Sequence, residues 1–246
     1  MITGVWFWVV GAVVMALLQT LIPRAINGLP QVYTLALFAF AIAVALGSGA
    51  AARASRTRPN MALVPIGAML MGLFLLDLAW VTSSLTPAAA PIGIGEFLST
   101  FAGIRVIVDL AVIAFAGGLF IVPSFAAVQA WAPVDRRARV VAGVNVLSAA
   151  GMAIAGLVVA ALQYVSAPLW MIYAGLGLMN FGAVAIVLRA WGADGVKDVG
   201  AFLFKTFFNL EVKGLENLPK AGDKAIIAPN HVSLLDAPLM HALLPS

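Results

Sequence analysis

The run IRVIVDLAVIAFAGGLFIVPSFAAV, from Ile104 to Val128, decides how this chain folds. It is almost wholly apolar and long enough for a helix to cross the roughly 30 Å of bilayer hydrocarbon, a task for about 20 residues. Five more stretches of the 246-residue chain meet that standard: Val5–Ile22, Val32–Gly49, Ala62–Val81, Val140–Leu162 and Trp170–Leu188. Lipid offers no partner to backbone polar groups, so such segments are helices or strands of a closed barrel. Their continuous apolarity, without two-residue alternation, excludes the barrel. Composition agrees: 63% of residues are hydrophobic and 10% charged, where soluble domains carry about 45–50% and 25%. A soluble enzyme, a disordered chain and a coiled coil are excluded. Cysteine is absent, which removes disulfides, thiol nucleophiles and thiolate metal sites. No metal or cofactor is expected.

Orientation follows from the arginines, because cytoplasmic loops collect basic residues. Arg53, Arg56 and Arg58 fall between spans two and three, and Arg136, Arg137 and Arg139 between spans four and five. Arg189 and all the lysines follow span six. The alternate loops hold Arg24, with Arg105 at the lip of span four. Both termini are therefore expected in the cytoplasm. This uneven basic charge also argues against nucleic acid as a partner. The chain opens Met1-Ile2-Thr3 and its first charge is Arg24, so the first span is expected to be retained rather than cleaved as a signal. Trp6, Trp8, Trp80, Trp131, Trp170 and Trp191 all fall near span ends, as an aromatic belt requires.

Small residues four apart, Ala114 with Gly118 and Gly151 with Ala155, would let helix backbones approach closely. Gly117, Gly118 and Pro123 would loosen span four, or simply reflect how common Gly and Pro are in membrane helices. Ionisable residues within spans are costly enough to raise a functional question by default. Asp77 sits about one turn from the outer end of span three, within reach of the interface. Arg105 and Asp109 share one face of span four, one turn apart. They are expected either to neutralise each other or to meet a charged headgroup. No carboxylate or histidine falls near the middle of a span, which disfavours a proton relay. Asn145, Ser148 and Asn180 are expected to form interhelical hydrogen bonds, with cavity lining as the alternative.

Two segments resemble a known family. They are Gly117-Gly118-Leu-Phe-Ile-Val-Pro123-Ser-Phe-Ala-Ala-Val-Gln129 and Pro133-Val-Asp-Arg-Arg-Ala-Arg139-Val-Val-Ala142-Gly-Val-Asn145. They are similar to the carboxyl half of a major facilitator transporter, in its lysophospholipid branch. The resemblance covers roughly residues 1–190 and implies half of that fold, with spans seven to twelve present and the first six missing.

After Trp191 the character changes. Gly192-Ala-Asp-Gly195 reads as a turn-rich exit, and Val199–Phe208, with five aromatic or apolar residues around Lys205, as an interfacial helix. Leu210–Lys213 alternates like a short strand, Pro219–Asp223 reads as a turn, Lys224–Ala228 as a buried strand and Ser233–Leu244 as a helix. At the strand-to-helix junction stands Asn230-His231-Val-Ser233-Leu-Leu-Asp236. His231 and Asp236 are five apart, a poor spacing for one helical face. They meet only if the histidine lies in the turn and the aspartate folds back to hold one imidazole nitrogen. That is the base and orienter of a catalytic triad, with a substrate hydroxyl as nucleophile. His241 lacks this context and reads as packing or surface.

Together with Val212-Lys213-Gly214-Leu215-Glu216-Asn217-Leu218-Pro219, this pattern resembles the start of a glycerophospholipid acyltransferase domain. The resemblance implies His231 as general base and Asp236 as its support, with Asn230 and Ser233 near substrate. The family's later phosphate-holding motifs have no counterpart here. The expected organisation is a six-helix transmembrane domain (1–190), a linker (191–199) and an incomplete α/β acyltransferase domain (200–246). The expected function is inward movement of lysophospholipid across a bacterial inner membrane and its re-acylation from an acyl carrier protein or coenzyme A thioester. The 246-residue chain alone is expected to be inactive in acyl transfer. The alternatives are a membrane-anchored acyltransferase whose helices do not transport, and a transporter with a non-catalytic tail. They separate on whether Arg105 and Asp109, or His231, matter.

Overall fold

The computed structural model of the chain describes residues 2–55, 59–213, 230 and 233–243. Among them stand eight α-helices and no strand. They are α1 (Ile2–Thr20), α2 (Pro30–Ala54), α3 (Leu63–Ser84), α4 (Ile94–Ser99), α5 (Phe101–Trp131), α6 (Arg137–Tyr164), α7 (Leu169–Phe207) and α8 (Asp236–Leu243). Six helical stretches are long and apolar enough to cross a bilayer: Thr3–Ile26, Pro30–Ala54, Leu63–Ser84, Phe101–Trp131, Arg137–Tyr164 and Leu169–Arg189. The chain is a multi-pass membrane protein. By Cα proximity it divides into two compact units, Met1–Ala190 and Trp191–Ser246.

In the first unit α5 is the central helix, packed against both α2 and α3, while α1 packs against α6. Glycine makes the closest crossings possible. A Cβ on Gly47 of α2 would fall 2.0 Å from the Phe115 carbonyl oxygen of α5, and one on Gly118 would fall 2.5 Å from the Ser48 amide nitrogen. A Cβ on Gly67 of α3 would lie 2.7 Å from the Ala116 oxygen. Gly72 of α3 and Gly177 of α7 face each other, each built-in Cβ landing 3.0–3.1 Å from the other's carbonyl oxygen. Such contacts matter in a membrane because lipid tails are as apolar as leucine, so close van der Waals packing replaces the hydrophobic drive between helices. Of the expected small-residue pairs, Gly118 serves α2 and Gly151 receives Val5 and Val9 of α1. The outward faces stay apolar, with Phe38, Leu46, Ile154 and Leu157 exposed.

Helix ends follow local chemistry. A π-helical turn, Leu21–Ile26, extends α1 and stops at Asn27, whose φ of 61° is left-handed. Pro30 then opens α2 at a position where its missing N–H costs nothing. The Thr100 hydroxyl accepts from the Gly103 amide at 3.0 Å and caps α5. The α1–α2 and α3–α4 connections are tied together at one end of the bundle. Asn27 Nδ2 donates to the Ala88 oxygen (2.9 Å), Leu29 N to the Ile92 oxygen (2.9 Å) and Ile92 N to the Asn27 oxygen (3.0 Å). An alternating path through the bilayer requires those two connections to share a side.

The tail departs from the sequence reading. Gly192–Gly195 is not a turn: α7 runs unbroken from Leu169 to Phe207. Each glycine costs a helix about 1 kcal/mol relative to alanine, and a helix already nucleated on both flanks absorbs that. Leu210–Lys213 is not a strand. Alternation stabilises a strand only through a paired neighbour, and among the described residues there is none. The expected turn at Pro219–Asp223 and strand at Lys224–Ala228 lie outside the described residues. The expected helix from Ser233 begins at Asp236 instead. It packs on α7 where a Cβ on Gly200 would meet the Ala242 methyl at 3.0 Å.

Candidate functional site

The polar groups inside the spans sort into two kinds. Ser124, Ser148 and Thr82 each donate to the carbonyl four residues back in their own helix, a local solution that binds nothing else. Ser148 is therefore not the interhelical bond the sequence suggested, and Asn145 stands exposed on α6. Asn180, fully buried, does tie helices: its Oδ1 accepts from Trp6 Nε1 of α1 at 3.1 Å, and its Nδ2 donates to the Leu176 oxygen at 2.9 Å. Trp6 thus serves the bundle interior. Trp80 and Trp131 stand 73% and 68% exposed near helix ends, as a belt requires.

The second kind is a charged cluster shared by α3 and α5. Arg105 does not pair with Asp109. Its guanidinium straddles Asp77 on α3, Nη2 donating to Oδ1 and Nε to Oδ2, the latter at 3.2 Å. This bidentate fork is the strong form of the interaction. Arg105 also lies over the Phe101 ring, 5.7 Å from its centroid. Helix direction explains the choice of partner. Side chains lean toward a helix's N-terminus, so Arg105 leans away from Asp109, and base-before-acid is the poorer order for such a pair. Asp77 is accordingly no free residue reaching for the interface.

Asp109 is left inside. It is 1% exposed, and its Oδ2 has no hydrogen-bond partner. It interacts electrostatically with Asp77 and Arg105, so two carboxyl groups lie near one guanidinium that is hydrogen-bonded to Asp77. The Tyr173 hydroxyl on α7 is a second buried polar atom without a partner. Both acids also lie farther from their helix ends than the sequence implied. α5 begins at Phe101 rather than Ile104 and α3 ends at Ser84 rather than Val81. At 1.5 Å per residue, Asp109 sits about 12 Å and Asp77 about 10 Å from its helix end.

In the second unit, His231 lies outside the described residues, so its geometry with Asp236 is not on view. Asn230 is exposed. Ser233 and Asp236 do meet. Ser233 N donates to Asp236 Oδ2 at 2.7 Å, and Leu235 N donates to Ser233 Oγ at 3.2 Å. These are local side-chain-to-backbone bonds in the turn ahead of α8, a signal legible in Ser-x-x-Asp that the catalytic reading had passed over. His241 is exposed on α8. Known proteins offer no guide to either site. No family model, curated protein or solved structure matches the chain. Groups of three or more potential metal ligands are also missing among the described residues.

Proposed function

We propose that this protein moves lysophospholipid across the bacterial inner membrane and that its carboxyl-terminal segment belongs to the machinery that re-acylates it. Asp109 carries the transport reading: a buried carboxyl beside an Arg–Asp pair, inside a membrane span. Helices that only anchor an enzyme have no use for it, since an apolar side chain there would be more stable. A lysophospholipid headgroup presents a phosphate, and the partly exposed Arg105 guanidinium is the group suited to attract it, by exchanging Asp77 for the phosphate. The assignment to the carboxyl half of a major facilitator rests on the resemblance of residues 117–145.

Acyl transfer rests on the resemblance carried by Val212–Pro219 together with Asn230-His231-x-Ser233-x-x-Asp236. In that chemistry His231 takes the proton from a glycerol hydroxyl, Asp236 steadies the imidazolium, and a thioester of acyl carrier protein or coenzyme A gives up the acyl group.

Binding tests the transport reading. Purified protein in detergent, titrated with lysophospholipid and followed by native mass spectrometry, should hold one lipid. Arg105→Gln should weaken that binding about ten-fold or more, the equivalent of roughly 1.4 kcal/mol. Equal affinity in both forms would reduce the six helices to an anchor.

A further inference from the structure

Arg105 and Asp109 share one face of α5, four residues and about 6 Å apart along the helix axis, and the fold leaves them in different states. Arg105 is the nearer to the helix end, and its side chain is 30% exposed beside Asp77. Asp109, one turn farther in, is 1% exposed, and its Oδ2 accepts no hydrogen bond among the described residues. Backbone N–H groups in the middle of α5 are spent within the helix and cannot serve it. A buried acceptor left so bears its full desolvation penalty. Its position makes sense where a ligand brings the donor.

A lysophospholipid lying along α5 has its parts in a fixed order. The headgroup stays toward the helix end and the acyl chain runs into the apolar middle of the span, with phosphate and glycerol between them. With the phosphate on Arg105, the part that comes level with Asp109 is the glycerol rather than the headgroup. We infer that Asp109 distinguishes lysophospholipid from diacyl lipid: its unpaired oxygen accepts the free hydroxyl on the glycerol carbon next to the one that bears the phosphate. One hydroxyl brings one donor to one oxygen, and a bond from hydroxyl to carboxylate is of the strong, charge-assisted kind. Diacyl lipid carries an ester at that carbon, with no proton to donate, so its binding leaves Asp109 buried and unpaired. A site built to bond a substrate hydroxyl rejects analogues that lack it for this reason. The assignment of this role to Asp109 rests on the transport reading above.

A pair of lipids that differ only at the hydroxyl tests it. The purified chain in detergent is titrated with 1-acyl lysophosphatidylethanolamine and with its 2-deoxy analogue, of the same chain and headgroup, and binding is followed by native mass spectrometry. Wild type should prefer the hydroxyl form by about ten-fold or more. Asp109→Leu should bind the two alike, while Arg105→Gln should weaken both and keep the preference. Circular dichroism checks that each variant folds; the wild-type comparison needs no variant and decides by itself if one does not. Equal affinity for the two lipids in wild type, or a preference that survives in Asp109→Leu, would overturn the inference and leave the transport reading standing. Binding of neither lipid would overturn both.

Discussion

A guanidinium inside a span needs a carboxylate of matching shape, and Asp77 supplies one to Arg105 across 28 residues of sequence. The pair is partly open, with side chains 30% and 39% exposed, so screening limits what it is worth. Asp77→Ala should cost about 1 kcal/mol and lower the thermal midpoint in detergent by about 2–4 °C. Asp109 should behave in the opposite sense. Replacing it with leucine removes a buried unpaired polar group and should raise the midpoint by a similar margin, while abolishing the proposed lipid movement. If both substitutions destabilise, Asp109 is holding the fold together rather than serving a ligand. The residue types were legible beforehand, because charges in spans stand out. Their pairing was not, because it depends on which helix lies beside α5 and on the direction each side chain leans.

Helices assemble here through a few backbone contacts that tolerate no side chain. Gly47→Val should lower stability by about 3 kcal/mol, the upper range of overpacking, since even a first carbon would overlap the Phe115 oxygen. Gly156 has nothing within 4 Å, so Gly156→Ala should be neutral or gain up to about 1 kcal/mol from helix propensity. Thermal unfolding of the two variants side by side checks the contrast. In the tail, Ser233→Ala should cost α8 about 1 kcal/mol, read as faster hydrogen exchange in its first turn. The spans were plain from continuous apolarity. The π-helical turn at Leu21–Ile26 and the unbroken α7 were not, because local residues such as Pro23, Gly192 and Gly195 argue for breaks that cooperative helix formation overrides.

At the scale of the whole molecule, basic clusters on alternate connections are expected to set the orientation. A cysteine replacing Ala90, an exposed residue between α3 and α4, should react with an impermeant reagent from outside the cell, and one replacing Arg56 should not. The reverse pattern would invert the topology. For the proposed acyl transfer, the 246-residue chain has His231 as its candidate base but, after Arg189, only Lys197, Lys205, Lys213, Lys220 and Lys224 as cations. With no arginine fork there for a phosphate, the purified chain should give no transfer from an activated acyl donor above background. Clear transfer lost in His231→Ala would show that the fork is dispensable. The claim on which most depends is that the charged cluster of α3 and α5 makes these helices move lipid. The most direct measurement is entry of a fluorescent lysophospholipid into proteoliposomes containing the protein, set against Arg105→Ala and Asp109→Asn forms. Entry above that of protein-free liposomes, cut about ten-fold or more by either substitution, is the expected result; entry at the wild-type rate in both variants would contradict it.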